Sequence, residues 1–411
     1  MWWTTHLEGG PRRVNHAACV VDSCIYSFGG YRTGDSYRSK HTPIDVYVFN
    51  THTLRWKKIP TPEGQSGGSE IENVPFMRYG HSVVAHQGRI YLFGGRNDLS
   101  PCNDLFCFDV STWQWSRPEV KGPLPERRDG HTACVIHDFM YVFGGFEEAY
   151  DRMDNNVYTL NLNSMEWKHQ SCEGTIPYAR DFHTATVFGD RMVVFGGRTM
   201  TSSLEYYNNK LCYLDTTHHV WREINTASCE APSGRRSHTA LNIHDELYIF
   251  GGFNATRNEH MNDMWKFDFH SMSWAKVHQC GQVPKVRRRH AMCLVEGKVY
   301  IFGGTSPYNG PRLFFTQMEL ALIPLDGRTF SLVELDDMHV LELSVSLRTL
   351  CLMATIHNDI PVTDVPQPLK VDREAMTRNL EISPPLKVRE DECDDPWEVD
   401  DDLDDDQFVF Y

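Results

Sequence analysis

The sequence of 411 residues predicts an all-β fold, a six-bladed β-propeller. First, a histidine followed thirteen residues later by Gly-Gly occurs six times. Second, the segment between them alternates in polarity and ends on an aromatic residue, which is typical of strand, turn and strand. Third, a further strand follows in which a polar or charged residue stands eleven residues before a tryptophan in five of the copies. Four short strands recurring about every fifty residues cannot bury both faces alone, so the copies are expected to stack radially as blades.

The six copies keep one register along the chain. The pairs are His16 with Gly29 and Gly30, His81 with Gly94 and Gly95, His131 with Gly144 and Gly145, His183 with Gly196 and Gly197, His238 with Gly251 and Gly252, and His290 with Gly303 and Gly304. Eleven residues before Trp56, Trp115, Trp167, Trp221 and Trp274 stand Asp45, Asp104, Asn156, Lys210 and Asp263. Each blade is therefore predicted to end on an outer strand that carries a tryptophan.

The sixth copy lacks a tryptophan of its own, because the chain reaches Arg348 where one is due. Trp3 stands thirteen residues before His16, close to the spacing between the other blades. Residues from about 2 to 8 are therefore predicted to form the outer strand of the sixth blade. This arrangement closes the ring and leaves no free inner edge.

Over residues 1 to about 345 the repeat resembles the kelch family of propellers. The double glycines then end the second strand of each blade where the chain must turn. Histidines in six identical registers are expected to be buried structural groups rather than metal or catalytic groups. An arginine three places before each histidine is interpreted in the same way, with ligand binding as the alternative: Arg13, Arg78, Arg128, Arg180, Arg235 and Arg287.

Residues that depart from the repeat are better candidates for function. The strand order places the residues before each histidine and after each Gly-Gly on one face of the disc. Arginines and aromatics predominate there, with few acids: Tyr31, Tyr79, Arg96, Phe146, Phe182, Arg198, Arg236, Ser237, Phe253 and the pair Arg288 and Arg289. Such a cationic mouth suits a small anionic group, above all the C-terminal carboxylate of a peptide. A solvated arginine rim without a ligand is the alternative.

Charge and composition exclude several classes of protein. The net charge is −15, but twelve acids and no base follow Arg389, so the rest of the chain is nearly neutral. A general nucleic-acid-binding body, which needs a basic excess, is disfavoured. The twelve cysteines include no Cys-x-x-Cys pair and are expected to be reduced core thiols. Neither a signal peptide nor a membrane span is evident, which favours the cytoplasm, with the nucleus as a further location.

A second signal follows the sixth blade. Leu347, Leu350, Cys351 and Ala354 fall on one face of a predicted helix, which either docks on a partner or folds back under the disc. Ser346, Leu347 and Cys351 resemble the elongin-binding box of ubiquitin-ligase receptors, although Thr355 stands where that box has an aliphatic residue. Downstream, Val365, Pro366 and Leu369 are similar to a cullin-2-binding box.

Together these motifs resemble the kelch receptors that read C-terminal degrons for cullin-2 RING ligases. The resemblance implies elongin B, elongin C, cullin-2 and a RING-box protein as partners, and substrates that end in glycine, often with an arginine upstream. It assigns the carboxylate to Arg198, Arg236 and Ser237. No cofactor, metal or catalytic motif is expected, so the protein is predicted to be a non-catalytic receptor. A kelch scaffold that binds chromatin in meiotic recombination, or the cytoskeleton, is the alternative.

The predicted organisation has three parts. Residues 1–345 form the propeller, residues 346–378 carry the elongin-binding and cullin-2-binding boxes, and residues 379–411 form an acidic, disordered tail.

Overall fold

Six antiparallel four-stranded sheets are arranged as the blades of a propeller. The computed structural model describes residues 1–6, 9–33, 42–60, 73–201, 204–226, 230–308, 331–343, 347–357, 360–367, 369–370 and 373. In these ranges the strands of each blade follow one another from the inside outward. The first strands of neighbouring blades contact one another in a closed circuit. The predicted all-β class and six-bladed architecture are confirmed.

The strand bounds show how regular the blades are. Blade 1 comprises Ala17–Val21, Cys24–Phe28, Val46–Asn50 and Arg55–Lys58. Blade 2 comprises Ser82–His86, Arg89–Phe93, Leu105–Asp109 and Gln114–Ser116. Blade 3 comprises Thr132–Ile136, Phe139–Phe143, Val157–Asn161 and Glu166–Gln170. Blade 4 comprises Thr184–Phe188, Arg191–Phe195, Leu211–Asp215 and Val220–Glu223. Blade 5 comprises Thr239–Ile243, Glu246–Asn254, Glu259–Asp268 and Ser273–Lys276.

Blade 6 is assembled from both ends of the propeller sequence. Its strands are Ala291–Val295, Lys298–Phe302, Met338–Glu342 and the N-terminal Trp2–Thr5. Trp3 lies opposite Leu341 in this antiparallel pairing and is fully buried. Its indole nitrogen donates a hydrogen bond of 2.8 Å to the Gln279 side chain. The predicted closure by the N-terminal strand is confirmed.

A ring of aromatic contacts joins each blade to the next. In every blade the outer-strand tryptophan packs against the phenylalanine before Gly-Gly of the preceding blade, with ring centroids 4.9 to 5.8 Å apart. The six pairs are Trp115 with Phe28, Trp167 with Phe93, Trp221 with Phe143, Trp274 with Phe195, Trp3 with Phe250, and Trp56 with Phe302. The tryptophan of the repeat is therefore an interblade contact.

The double glycine is required by close packing on both sides. A Cβ atom at Gly94 would lie 2.7 Å from the His131 ring of the next blade. One at Gly95 would lie 2.7 Å from the Cβ atom of His81 in its own blade. Both glycines also have positive φ angles, which L side chains rarely adopt.

Several short elements accompany the four-stranded blades. The described part of the chain contains three two-stranded antiparallel pairs, Phe146–Glu147 with Arg152–Met153, Arg198–Thr201 with Leu204–Tyr207, and Thr305–Tyr308 with Ser331–Glu334. Two further strands, Glu173–Gly174 and Cys280–Gly281, pair in parallel with the outer strands of blades 4 and 6. Single 3-10 turns cover Glu148–Tyr150 and Val362–Asp364.

Helix α1 (Leu347–His357) follows the propeller, as predicted. Cys351 and Ala354 are exposed, whereas Leu352 is only 2% exposed. Among the side chains described, those of the predicted apolar face therefore point to solvent, and the helix is anchored through Leu352. The side chains of Leu347 and Leu350, the residue Ser346 and the acidic tail lie outside the described residues.

Candidate functional site

The residues directly before the six blade-opening histidines form a closed hoop of backbone hydrogen bonds. The hoop comprises Asn15, Gly80, Gly130, Phe182, Ser237 and Arg289. Each N–H donates to the carbonyl of the hoop residue in the preceding blade, over 2.8 to 3.1 Å, and Asn15 completes the circuit by donating to Arg289. All six residues have positive φ angles. Four non-glycine residues of the hoop are therefore held in the left-handed conformation. This conformation is strained in residues with a side chain, and it persists only where the surrounding structure fixes it.

A second set of contacts surrounds the hoop. The residue two places before each histidine forms an isolated antiparallel bridge with the residue after Gly-Gly of the same blade. The pairs are Val14 with Tyr31, Tyr79 with Arg96, Asp129 with Phe146, Asp181 with Arg198, Arg236 with Phe253, and Arg288 with Thr305. The hoop and these twelve residues are called the mouth below. The predicted placement of these positions on one face is confirmed.

The hoop residues and the six histidines line a cavity of about 120 Å³. Four of the histidines accept or donate a hydrogen bond of 2.8 to 3.0 Å through Nε2 to a hydroxyl in the preceding blade, contributed by Ser82, Thr132, Thr184 and Thr239. The Nε2 atoms of His16 and His81 have no hydrogen-bond partner within the described residues, because Ala291 and Ala17 occupy the equivalent positions. Burial lowers the pKa of His131 and His238 to about 3. These histidines are neutral structural groups.

The repeated arginines are also structural, as the sequence favoured. In five blades Nε donates to the carbonyl two residues earlier and Nη1 donates to the carbonyl of the first glycine of Gly-Gly. Arg128 is fully buried and also contacts Glu147 at 2.6 Å and Asp154 at 2.8 Å. Arg13, Arg235 and Arg287 pair with Asp45, Asp263 and Asp337. In these five blades the arginine therefore fixes the Gly-Gly turn of its own blade.

Blades 5 and 6 supply the cationic half of the mouth. Arg236 and Arg288 have no carboxylate partner among the described residues, and the buried Nε atoms of Arg236, Arg288 and Arg289 lack hydrogen-bond partners. Burial, followed by the charges of Arg289 and Arg236, lowers the pKa of Arg288 to about 9. The Ser237 hydroxyl is buried and also without a partner. Three guanidinium groups and a hydroxyl of this half therefore carry buried donor atoms without a hydrogen-bond partner among the described residues.

Aromatic rings form the wall of this cationic half. The Arg288 guanidinium carbon lies 4.3 Å from the ring centroid of Phe253, and that of Arg236 lies 5.8 Å from the same ring. Arg289 lies 5.6 Å from the Phe182 ring. His260, which the sequence analysis missed, packs on Phe253 at 4.4 Å. The rings hold the guanidinium groups in place without neutralising them.

The opposite half of the mouth is acidic, so the expectation of few acids at this face was wrong. Arg198 is held by Asp181 through two contacts of 2.5 and 3.1 Å and by Glu205 at 3.1 Å. Arg96 contacts Glu148 at 3.3 Å. Both arginines lie in the mouth, as predicted, but their charges are already compensated. Arg289 rather than Arg198 completes the group of uncompensated guanidinium ions.

The remaining predicted residues are divided between the two halves. Tyr31 and Tyr79 pack edge to face at 5.6 Å, and the Tyr31 hydroxyl accepts a hydrogen bond of 3.4 Å from Arg289. Phe146 is half-buried beside Asp129. The structure therefore brings all the predicted mouth residues to one face.

Several mouth residues could not be selected by residue type alone. Asp129 and Asp181 stand in the same register as Arg236 and Arg288, so an alignment of the six copies contains the charge reversal. Asp181 meets Arg198, which follows the Gly-Gly of its own blade, whereas Phe146 occupies that position in the blade of Asp129.

The C-terminal boxes lie outside the mouth. Cys351 and Pro366 are exposed, Val365 is buried and Leu369 is half-buried. Thr355 donates a hydrogen bond of 2.7 Å to the Leu352 carbonyl within the helix. In the parts of the chain that are described, no group of His, Cys, Asp or Glu is arranged to hold a metal ion. Nor does a described helix have the length and apolarity needed to cross a bilayer.

Comparisons with known proteins agree with this geometry. A family model, the KLHDC2/KLHL20/DRC7 Kelch-repeats domain, matches residues 80–304, and a kelch motif model matches residues 12–63. Over 93% of its length the chain is 42% identical to Kelch domain-containing protein 3 of Rattus norvegicus and of Homo sapiens, with 98% of those proteins covered. It is 27% identical to Kelch domain-containing protein 10 of Xenopus tropicalis, over 72% of this chain and 71% of that protein.

The closed ring, the Gly-Gly turns and the axial mouth define a kelch β-propeller, a class of protein-interaction module. With these matches, the chain belongs to the kelch-repeat family. Within that family it is similar over almost its whole length to Kelch domain-containing protein 3.

Proposed function

We propose that this protein is the substrate-recognition subunit of a cullin-2 RING ubiquitin ligase and binds the C-terminal residues of its substrates in the mouth. The observation that carries the proposal is the set of unsatisfied donors on Arg236, Arg288, Arg289 and Ser237. A terminal carboxylate has two acceptor oxygens, which suit an arginine fork and a hydroxyl.

The narrowness of the mouth restricts which C-terminus can enter. The hoop surrounds a cavity of about 120 Å³, and the side chains of Phe182 and Arg289 are among those that line it. A terminal glycine carries no side chain into this space, so its carboxylate can approach the guanidinium groups closely. The geometry thus supports a preference for glycine-ending peptides.

Helix α1 supports the ligase part of the proposal. Cys351 and Ala354 are exposed on the same face, while Leu352 anchors the helix. The elongin-binding box needs an accessible helix face, and the exposed Pro366 leaves part of the cullin-2-binding box accessible as well. Elongin B and elongin C would link the propeller to cullin-2 and a RING-box protein, and the cytoplasm is the proposed location.

Co-purification tests the ligase part directly. We expect the full chain to capture elongin B, elongin C and cullin-2 in stoichiometric amounts. The double variant Leu347→Ala and Cys351→Ala should lose all three, whereas Arg348→Ala, a change at an exposed position of the same helix, should retain them. Failure of the wild-type chain to capture these proteins would contradict the ligase role and favour a kelch scaffold for chromatin or the cytoskeleton.

A further inference from the structure

The hairpin of residues 198–207 in blade 4 has one face at the mouth and one face that carries exposed apolar side chains. Residues that pair across a hairpin share a face, and consecutive residues of a strand point to opposite faces. Arg198 and Glu205 therefore lie on one face, where they contact each other at 3.1 Å. Leu204 and Tyr206 lie on the opposite face and are 73% and 48% exposed. The second face is thus free to contact a partner.

Tyr178 extends this apolar surface beyond the hairpin. It is 70% exposed and lies in the segment that leads into the first strand of blade 4. Its hydroxyl and that of Tyr206 both interact with the ammonium group of Lys210, whose pKa is raised mainly by a hydrogen bond to Glu223. That ion pair, at 2.7 Å, compensates the lysine charge. Tyr178, Leu204 and Tyr206 are called the shoulder below, and they form an apolar surface beside a neutralised lysine.

The shoulder differs from the other exposed apolar positions of the propeller. Leu204 and Tyr178 are the two most exposed large apolar side chains in the described part of the chain, whereas Leu99 and Tyr150 are 55% and 54% exposed. Among the described residues, none of the three shoulder side chains packs into the hydrophobic clusters of blade 4. Single exposed apolar residues are common, but a group of them marks an interaction surface. Tyrosine in particular is enriched at protein interfaces.

The hairpin joins the shoulder to the mouth. Arg198 at its base belongs to the mouth, and Leu204 at its far end belongs to the shoulder. Blade 4 is also the neighbour of blade 5, which supplies Arg236 and Ser237 to the cationic half. A strand rises about 3.3 Å per residue, so the four residues of one hairpin strand span about 13 Å. A chain whose end is held in the mouth therefore reaches the shoulder about five to ten residues before that end.

We propose that the shoulder binds an apolar segment of the substrate chain, upstream of the C-terminal residues that the mouth holds. This inference rests on the proposed function, because its occupant is the same substrate chain. An apolar segment is favoured because the shoulder offers two aromatic rings and a leucine, and the adjacent lysine is already paired. The second contact is intramolecular once the chain end is bound, so it adds affinity at little further cost. The shoulder thereby selects among chains that share the same end.

Glycine-ending peptides of two lengths test the assignment by fluorescence polarisation. A short peptide has six residues, and long peptides of fourteen residues add two leucines or two serines, moved through the eight added positions. We expect the wild-type protein to prefer the leucine peptide by about tenfold at one placement, because apolar side chains become buried. The double variant Tyr178→Ser and Leu204→Ser should lose this preference and keep the affinity for the short peptide. Leu54→Ser, at a 42% exposed turn of blade 1, should retain the preference.

The possible outcomes separate this inference from the proposed function. Retention of the leucine preference by the double variant would overturn the assignment. Equal binding of the two long peptides by the wild type, with the short peptide still bound, would overturn it while leaving the proposed function intact. Concentration-dependent dimerisation of the wild-type chain in sedimentation, lost in the double variant, would assign the shoulder to a second copy instead. Absence of any peptide binding would overturn both.

Discussion

Arginine side chains in this protein differ in role because they differ in partners. Arg128 is buried and donates hydrogen bonds to two carboxylates, those of Glu147 and Asp154, and to two backbone carbonyls, those of Glu126 and Gly144. Arg198 lies at the mouth but is held by Asp181 and Glu205. Arg236 and Arg288 contact an aromatic ring and no acid among the described residues. Residue type alone does not separate these cases; the surrounding charges do.

Replacing a repeated arginine should damage the fold rather than ligand binding. Arg128→Ala leaves Glu147 and Asp154, which are 1% and 3% exposed, without their main counter-ion. Breaking a buried ion pair typically costs about 3–5 kcal/mol. Urea unfolding should show a loss of this size, and Arg127→Ala, an exposed neighbour, should show almost none. A loss below about 1 kcal/mol for Arg128→Ala would contradict the structural role.

The two histidines without hydroxyl partners offer a gain of stability. Ala17 in blade 1 occupies the position that Ser82 occupies in blade 2, and the Ser82 hydroxyl forms a hydrogen bond of 2.8 Å with His131. The substitution Ala17→Ser places a hydroxyl at this equivalent position. The new hydroxyl should bond His81 and raise the free energy of unfolding by about 0.5–1.5 kcal/mol. Ser82→Ala should lower it by a similar amount. Unchanged urea midpoints in both variants would show that these interblade hydrogen bonds contribute no stability.

At the residue scale, the sequence predicted which residues lie in the mouth better than it predicted which residues they contact. It identified Arg236, Ser237, Phe182 and Phe253 as mouth residues because they depart from the repeat. It also proposed Arg198 as a carboxylate ligand, and the structure shows that guanidinium paired to Asp181 and Glu205. Asp181 and Glu205 both belong to the blade of Arg198, but Glu205 lies in a hairpin that does not recur in the same form in the other copies, so a comparison of the copies does not supply that contact.

At the scale of elements, each blade depends on its neighbour through the tryptophan of its outer strand. Five of these tryptophans follow their own blade in sequence, whereas Trp3 joins blade 6 from the opposite end of the propeller. The sequence predicted this closure because the count of tryptophans was one short. It could not predict the hairpins at the mouth, such as Arg198–Thr201 with Leu204–Tyr207, which follow no repeat.

Loss of the Trp3 side chain should weaken ring closure. Trp3→Ala removes a fully buried indole that packs on Phe250 at 5.8 Å and bonds Gln279 at 2.8 Å. Tryptophan-to-alanine changes in cores cost about 3–5 kcal/mol. Urea unfolding should show this loss, with Tyr178→Ala, at a 70% exposed residue, as the control. Equal midpoints for Trp3→Ala and wild type would contradict closure by the N-terminal strand.

At the scale of the whole molecule, the six buried histidines couple stability to pH. Burial, with the charge of the neighbouring arginine, lowers the pKa of His16 to about 4 and of His131 to about 3. The folded state therefore keeps these groups neutral while the unfolded state protonates them below the ordinary value of 6.5. The unfolded state then binds more protons, so stability is present above pH 6.5 and is lost as pH falls toward 4.

This coupling predicts a steep acid transition. Each such histidine contributes about 1.4 kcal/mol per pH unit between its unfolded and folded pKa values. Asp129, with its pKa raised to about 6, and Asp181 and Glu334, whose pKa values burial also raises, act in the opposite direction but are fewer than the six histidines. Urea midpoints should therefore fall markedly from pH 7 to pH 5, and the exposed-site variant His137→Gln should keep the same slope. A flat profile would show that the histidines are protonated in the folded state.

The six-bladed architecture was predictable because six copies repeat one spacing between a histidine and Gly-Gly. A departure from the pattern in one copy does not change the number of blades. The bipolar character of the mouth was missed, because the two aspartates that stand in the register of Arg236 and Arg288 were not among the residues selected from the sequence. Asp129 and Asp181 of blades 3 and 4 share a mouth with Arg236 and Arg288 of blades 5 and 6.

The central claim is that the cationic half of the mouth binds a C-terminal carboxylate. The most direct test compares the affinity of one glycine-ending peptide as its free acid and as its C-terminal amide, by fluorescence polarisation. We expect the wild-type protein to bind the acid at least tenfold more tightly, because charged hydrogen bonds to the guanidinium groups are lost with the amide. Arg288→Ala should abolish this difference without changing the urea midpoint. Equal affinity of the wild-type protein for acid and amide would contradict the account.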